Sequence, residues 1–246
     1  MSEYREFAPP RDLHPVIACR WVRRVPGDAA AGSRLVLPDG CVDLLWRDQE
    51  LVVTGPDRTA QPSPIRPGQT ILGLRLRPGM AGPVLGLPAS ELPGGRVPLE
   101  DVLGSPASEL EEQIGEVGGA QTAFELLEEL VTSRMTAARP DPLVLAAARR
   151  LGFMGSRVDR LADALGISDR QLRRSFHRSV GYGPKTLDRV LRFRRFVAQA
   201  AAVAAGDGDL ARIAAELGYA DQAHMTRDCV RLSGHPPARL ARLWSG

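Results

Sequence analysis

The hydrophobic positions follow two different spacings, and the change between them separates a β-rich part of the chain from a helical part. Up to about residue 100, short runs with β-branched or aromatic residues alternate with Pro, Gly and Asp, which is typical of strands separated by turns. The runs that predict strands are VIACRWVRRV (16–25), RLVL (34–37), CVDLLW (41–46), ELVVTG (50–55) and TILGLRL (70–76).

A pair of helices is predicted after these strands. SELEEQIGEV (108–117) begins at Ser108 and has Glu111 three positions later, which is the spacing of a capping box. In AQTAFELLEELVTSRM (120–135), helical spacing places four apolar residues on one stripe: Phe124, Leu127, Leu130 and Val131. This stripe either packs on the core of its own domain or pairs two subunits of a homodimer.

A short segment predicts the boundary between two domains. TAARPDP (136–142) has two prolines and small residues, as linkers do. We therefore expect an N-terminal domain over 1–135, β-rich to about 100 with helices within 108–135, and a C-terminal domain over 143–246. The second domain is predicted to be all-α, with seven helices: 143–151, 157–165, 169–180, 185–205, 209–217, 221–232 and 237–244. The fold class is thus α+β with two domains.

The helical part contains the same pattern twice. LGISDRQLRRSFHRSVGYGP (165–184) and LGYADQAHMTRDCVRLSGHPP (217–237) both run from Leu-Gly through a short polar step into an Arg-bearing helix and end at Gly and Pro. The two copies align at an offset of 52 before the turn and 53 after it, so the second turn is one residue longer. A short helix, a Gly-containing turn and a second helix form a helix-turn-helix layout.

The second helix of the first copy is predicted to have one basic face. Leu172 and Phe176 lie one turn apart and point inward. Four residues follow i, i+3, i+4, i+7 spacing and form what we call the basic face: Arg170, Arg173, Arg174 and His177. Their charges repel one another unless an anion neutralises them, and an α-helix of this kind fits the DNA major groove. The alternative is that these side chains only contact solvent, and the repetition of the pattern at matching spacing argues against it.

The corresponding helix of the second copy is less basic. Its outward residues are predicted to be Gln222, Ala223, Thr226 and Arg227. Gln can pair with adenine, and the methyl groups of Ala or Thr can contact the thymine methyl. Met225 and Cys229 occupy the inward positions, and His224 either contacts phosphate or packs locally.

The charge of the chain is unevenly distributed. Residues 1–140 carry 14 Arg and 19 Asp plus Glu, whereas residues 141–246 carry 18 Arg plus Lys and 10 acidic residues. A basic half beside an acidic half indicates a polyanionic partner for the C-terminal part. Double-stranded DNA is the partner that the repeated pattern favours.

These motifs resemble the DNA-binding domain of AraC-type transcription regulators. The resemblance covers about 143–244 and is carried by LADALGISDRQLRRSF (161–176), LGYADQAHMTRDC (217–229) and GHPPARL (234–240). It implies a bacterial, cytoplasmic regulator whose two recognition helices, joined by helix 185–205, enter successive major grooves. An activator of this family would also contact RNA polymerase. The DNA-contacting residues then map onto Arg170, Gln171, Arg173, Arg174, His177, Arg178, Gln222, Ala223, His224, Thr226 and Arg227.

This chain departs from the family pattern in its second copy. Ala220 stands where the pattern has Ser, and Met225 and Cys229 stand where it has Phe. The loss of two rings predicts a looser core for the second unit.

The N-terminal domain has a candidate effector pocket. Asp43 interrupts an apolar strand, and we expect it to line a small-molecule site together with Arg20, Trp21, Trp46 and Arg75. The alternative is a structural ion pair beside two core tryptophans. LPDGCVDLLW (37–46) and GLRLRPG (73–79) are similar to an N-terminal domain of some bacterial AraC-type regulators. In this family the DNA-binding domain is usually joined to a cupin-like β-barrel that binds an effector or dimerises, so the resemblance implies such a barrel here.

Other classes of function find little support. The chain has no Gly-x-Ser-x-Gly, phosphate loop or His-Glu-x-x-His motif, so we expect no enzyme activity, no catalytic residues and no cofactor. Two cysteines before the linker, Cys19 and Cys41, cannot form the zinc-bound cluster of an alkyl-transfer repair enzyme, and no metal site is expected. Alkyl transfer to the Cys41 thiol, in a repair enzyme fused to a DNA-binding module, stays an alternative. No secretory signal and no apolar run of about 18 residues is present, so a membrane location is not expected. A regulator without a ligand, controlled by a protein partner, stays an alternative.

Overall fold

The computed structural model describes residues 3–92, 94–153, 157–206 and 208–244. Within these residues the N-terminal domain has eight strands, β1 (Glu3–Phe7), β2 (Ile17–Arg24), β3 (Gly32–Val36), β4 (Val42–Arg47), β5 (Glu50–Thr54), β6 (Gln61–Ile65), β7 (Thr70–Leu76) and β8 (Arg96–Pro98). Six of them form an antiparallel sheet in the order β1-β2-β7-β4-β5-β8, and β3 pairs with β6 in a separate two-stranded ribbon. The described strands therefore form an open sheet and a ribbon, and the expected cupin-like barrel is not closed.

The five predicted strands are present, and three further strands were not predicted. β6 has the sequence QPSPI, and its two prolines argue against a strand. It is tolerated because β6 pairs with β3 alone, so one of its edges has no partner strand. The Pro-Asp-Gly turn at 38–40 joins β3 to β4, and these two strands belong to different sheets.

The six-stranded sheet has two different faces, because side chains alternate along each strand. One face, with Val22, Leu44 and Leu74, belongs to the main N-terminal core. This core is covered by four helices: α1 (Ala81–Leu85), α2 (Glu100–Leu103), α3 (Ser105–Val117) and α4 (Ala120–Ala137). The other face carries a smaller buried cluster that includes Trp21 and Leu45.

Helix α3 begins three residues earlier than predicted. Its first residue is Ser105, and Gly104 precedes it without a side-chain cap, so the proposed capping box at Ser108 is wrong. Pro106 in the first turn favours the earlier start, because proline fits where helical N–H groups have no partner. Glu111 instead accepts a hydrogen bond from the Leu51 N–H at 2.6 Å and thereby ties α3 to β5.

The apolar stripe of α4 lies inside its own domain. Phe124, Leu127 and Val131 are buried in the N-terminal core, and Leu130 packs against the same core. The alternative of packing on its own domain is therefore the one that the structure supports. The stripe is not available as the surface of a homodimer, and the expectation of a dimer through 120–135 loses its basis.

The described part of the C-terminal domain has eight helices where seven were predicted: α5 (Pro142–Leu151), α6 (Leu161–Ala164), α7 (Asp169–Val180), α8 (Pro184–Ala198), α9 (Ala200–Ala204), α10 (Leu210–Glu216), α11 (Gln222–Ser233) and α12 (Pro237–Trp244). The helix expected over 185–205 divides at Gln199, whose backbone leaves the helical region. Before α6, residues 158–160 form a 3-10 turn, and 154–156, part of the segment preceding it, lie outside the described residues. Asp141 caps α5 by accepting from the N–H groups of Leu143 and Val144 at 3.0 and 3.4 Å.

Helix α8 is shared by two separate cores of the C-terminal domain. Leu187 belongs to the core around Phe176, together with residues of α5, α6 and α7. Phe193 and Phe196 belong to the core around Met225 and Cys229. Because one helix contributes to both cores, it fixes the two helix-turn-helix units relative to each other.

Among the described residues, no helix has the length and apolar character needed to cross a membrane.

Candidate nucleic-acid interface and interdomain cavity

The repeated sequence pattern is also a repeated backbone geometry. Each turn has a glycine with positive φ, +67° at Gly166 and +77° at Gly218, a region that favours residues without a Cβ. The same hydrogen bond closes both turns, from Ile167 N to Ala162 O at 3.1 Å and from Tyr219 N to Ala214 O at 2.9 Å. The pairs α6–α7 and α10–α11 are thus two copies of one helix-turn-helix unit.

The two units differ in the residues that start their second helices. Ser168 caps α7, since its hydroxyl accepts from the Gln171 N–H at 3.2 Å. Asp221 caps α11 and accepts from the His224 N–H at 2.6 Å. One residue separates the turn glycine from the cap in the first unit and two separate them in the second, so the predicted longer turn is confirmed.

Helix α7 presents the predicted basic face to solvent. Leu172 and Phe176 are buried on the opposite side. Six predicted DNA-contacting residues are exposed on α7: Arg170, Gln171, Arg173, Arg174, His177 and Arg178. Arg178 differs from the others in that its guanidinium lies 3.8 Å from the carboxylate of Asp141, which caps α5.

Helix α11 presents a smaller polar surface. Gln222, Ala223 and Arg227 are exposed, and Thr226 is half-buried. His224 is also half-buried, with its ring edge against Tyr219 at 5.2 Å between centroids and its Nε2 atom 3.9 Å from Asp228. The structure therefore supports local packing for His224, the second of the two predicted alternatives.

Arginines of α8, which the sequence interpretation did not single out, anchor both units. Arg192 pairs with Asp188 at 2.9 Å and donates to the Gly218 carbonyl in the second turn at 3.3 Å. Arg195 donates to the carbonyls of Leu151 and Gly152 at the end of α5, at 3.0 and 2.7 Å.

A third arginine of α8 forms an ion pair with the second helix-turn-helix unit. Arg189 lies 3.1 Å from the buried carboxylate of Asp228 on α11. In the sequence, the three-residue spacing of Arg189, Arg192 and Arg195 on one helix could have indicated that they share a face.

A cavity of about 760 Å³ lies between the second face of the sheet and the C-terminal domain. Three of the five residues predicted for a small-molecule site line it: Trp21, Asp43 and Arg75. From the other side it is lined by Phe193, Arg194, Val197 and Ala198 of α8 and by Trp244 of α12. The contribution of the C-terminal domain was not predicted, since no local pattern shows which surfaces of two domains meet.

Arg20 and Trp46 were wrongly predicted to line this cavity. Both alternate with cavity-facing residues and therefore point to the opposite face of the sheet. The Nε atom of Arg20 lies 3.7 Å from Glu128, and its guanidinium lies 5.5 Å from the ring centre of Phe124. Trp46 packs against the main N-terminal core.

Arg75 is the centre of a charged cluster in the cavity wall. Its guanidinium donates two hydrogen bonds to Asp43, at 3.0 and 3.2 Å, and lies 3.2 Å from Asp39 and 3.4 Å from Glu6. Asp43 therefore forms the structural ion pair that was the alternative prediction, and it also lines the cavity. Burial raises the pKa of Asp43 although Arg75 opposes this effect.

Asp57 adds a further carboxylate to the same wall. Burial, followed by the negative charges of Asp39 and Asp43, raises its pKa to about 6. Charged groups of both signs line the cavity: the carboxylates are Glu6, Asp39, Asp43 and Asp57, and the arginines are Arg23, Arg34, Arg47, Arg75, Arg96 and Arg194.

The three cysteines are poorly suited to nucleophilic chemistry. All three are buried and free. Burial raises the pKa of the thiols, to about 11 for Cys19, to about 12 for Cys229 and well above the ordinary value for Cys41. Because the thiolate is the reactive form, the burial and raised pKa of Cys41 disfavour an alkyl-transfer role for it.

No group of three or more His, Cys, Asp or Glu side chains is arranged to hold a metal ion within the described ranges.

Comparisons with known proteins divide the chain in the same way as the fold. Residues 161–242 match the model of a family described as a helix-turn-helix domain, and residues 5–98 match a family described as a domain of unknown function (DUF6597). No curated protein matches the chain significantly. The chain therefore contains a helix-turn-helix domain, and this match is the comparison that bears on function.

Several solved structures of ToxT from Vibrio cholerae match the chain over nearly its whole length, at low identity. The P21 crystal form has a TM-score of 0.46 at 8% identity, over 100% of this chain and 99% of that chain. ToxT bound to (E)-4-(8-methylnaphthalen-1-yl)but-3-enoic acid has a TM-score of 0.44 at 8% identity, over 99% and 98%. Unsaturated fatty acid bound wild-type ToxT from strain SCE256 has a TM-score of 0.40 at 10% identity, over 99% and 95%.

Proposed function

We propose that this chain is a sequence-specific DNA-binding transcription regulator of the AraC type. The observation that carries the proposal is the pair of helix-turn-helix units, which share one turn geometry and are joined by α8. Each unit has a recognition helix, α7 or α11, and most of the outward residues of each helix are exposed. Two such helices held in one orientation can enter successive major grooves of a duplex.

The two recognition helices have different roles in this proposal. The basic face of α7 supplies phosphate contacts and bidentate contacts to guanine, because arginine suits both. On α11, the Gln222 amide pairs with adenine, and Ala223 contacts a thymine methyl. The first unit therefore supplies most of the charge-driven affinity, and the second unit supplies preference for A·T pairs.

We further propose that residues 1–135 form a sensory domain and that 136–142 link it to the DNA-binding domain at 143–246. The cavity supports this role because both domains line it, so an occupant contacts the sensory sheet and α8 together. Its wall combines the apolar surfaces of Trp21 and Val197 with the charged cluster at Arg75. An amphipathic small molecule fits such a wall.

A regulator without a small ligand is the second candidate. It would keep the same DNA-binding domain and respond to a protein partner, such as RNA polymerase for an activator. A panel of metabolites separates the two, because a ligand that binds only the folded protein raises its melting temperature by mass action. A shift that Asp43→Asn abolishes supports the sensory cavity, and the absence of any shift favours the ligand-independent regulator.

Arg174→Ala is expected to weaken binding to the preferred duplex by about 1–3 kcal/mol and to relax specificity at one position.

Gln222→Ala is expected to change which sequences are preferred more than it changes the salt dependence, because an amide does not neutralise phosphate. Both effects are measured by selecting duplexes from a random pool and titrating the selected site at several salt concentrations.

The matched control is Arg11→Ala, which removes the same charge from an exposed position in the N-terminal domain. It should leave the selected sequences unchanged. A result in which Arg174→Ala and Arg11→Ala are indistinguishable would rule out α7 as a recognition helix.

A further inference from the structure

Two carbonyl groups where the recognition helices end accept hydrogen bonds from the N-terminal domain, those of Gly181 after α7 and Leu232 in α11. The Leu232 carbonyl would ordinarily accept from the N–H four residues later, but that residue is Pro236, which has no N–H. Gly181 follows α7 as its left-handed C-cap, so its carbonyl lies outside the hydrogen-bond ladder of the helix. Carbonyls of this kind need donors from elsewhere.

One loop of the N-terminal domain supplies donors to both helices. The loop is residues 55–60, between β5 and β6. The Arg58 Nη2 atom donates to the Gly181 carbonyl at 3.0 Å, and the Ala60 N–H donates to the Leu232 carbonyl at 2.7 Å. Arg58 also places a positive charge at the C-terminus of α7, where the helix dipole favours it.

The end of α7 is closely packed against the same loop. Gly181 is buried, and a Cβ added there would lie 2.6 Å from Pro56 and 3.0 Å from the carbonyl oxygen of Ala89. The Arg58 guanidinium lies 5.9 Å from the ring centre of Tyr182, the next residue of the chain. The loop therefore contacts α7 through packing as well as through hydrogen bonds.

We propose that Arg58 is a positioning residue for DNA recognition, through which loop 55–60 holds the ends of α7 and α11 at one separation. The spacing between the two half-sites on the duplex is then set partly by the N-terminal domain. This inference rests on the proposed function. It also connects the cavity with the recognition helices, because Asp57 of the same loop lines the cavity.

The experiment measures how binding depends on the distance between the two half-sites. A duplex that the wild-type full chain selects from a random pool is altered by inserting or deleting about one to three base pairs between the half-sites. Wild-type protein is expected to lose about tenfold in affinity per base pair, since two rigidly held helices tolerate one spacing. Arg58→Ala should lose about threefold or less, and Arg58→Lys, which keeps a charged donor, should restore most of the spacing preference.

Arg66→Ala is the matched control, because it removes the same charge from an exposed arginine of the N-terminal domain. It should keep the wild-type spacing profile. An Arg58→Ala profile identical to wild type, or an equal loss of affinity at every spacing, would overturn the positioning role. A wild-type protein that selects no sequence would refute the proposed function itself, and the positioning role with it.

Discussion

Phe176→Ala is expected to lower the free energy of unfolding of the C-terminal domain by about 3–5 kcal/mol. Phe176 is fully buried where α5, α6 and α7 meet α8, so truncation removes a ring and leaves a cavity in the core of the first unit. Chemical denaturation followed by far-UV circular dichroism measures the change.

Two variants serve as controls for Phe176→Ala. Cys229→Ala truncates the corresponding buried position of the second unit but removes only a sulfur atom, so we expect a much smaller loss. Phe7→Ala removes a ring from an exposed strand and should cost little. Equal losses for Phe176→Ala and Phe7→Ala would show that the first core is not packed as described.

Arg75→Ala is expected to destabilise the N-terminal domain by about 3–5 kcal/mol at neutral pH, because it leaves the mostly buried carboxylates of Asp43 and Asp39 without their cation. Asp43, Asp39 and Glu6 all approach this one guanidinium. Burial raises the pKa of Asp43 and Arg75 opposes this, so without Arg75 the pKa of Asp43 rises further above its unfolded value and stability is partly regained as pH falls through that pKa. Urea midpoints at neutral and acidic pH measure both effects.

Arg24→Ala is the control for Arg75→Ala. Arg24 is an exposed arginine, and its ion pair with Glu3 is 4.0 Å long, so its loss should change stability very little. A small effect of Arg75→Ala, or an effect that does not diminish at acidic pH, would contradict the account of the cluster.

The C-terminal domain was largely predictable from local physical rules. Ser168 and Asp221 cap α7 and α11, and Gly181 and Gly234 end them in the left-handed region, so four residues set the limits of both recognition helices. The buried positions followed from helical spacing. The break at Gln199 was not predictable, because neither proline nor glycine marks it.

The N-terminal domain was less predictable because its strands pair across long distances in the chain. Strict alternation would have excluded Arg20 and Trp46 from the pocket once Trp21 and Asp43 were assigned to it. The ribbon partner β6 was hidden by its prolines. The α8 side of the cavity and the contacts of loop 55–60 depend on how two domains meet, which no local pattern reports.

The measurement that tests the central claim most directly is hydroxyl-radical footprinting of the full chain on a duplex selected from a random pool. Two recognition helices joined by α8 predict a saturable footprint of about 20 base pairs per monomer, covering two successive major grooves on one side of the duplex. Protection should disappear when the half-site bases are scrambled. Uniform protection that does not depend on sequence would contradict the account.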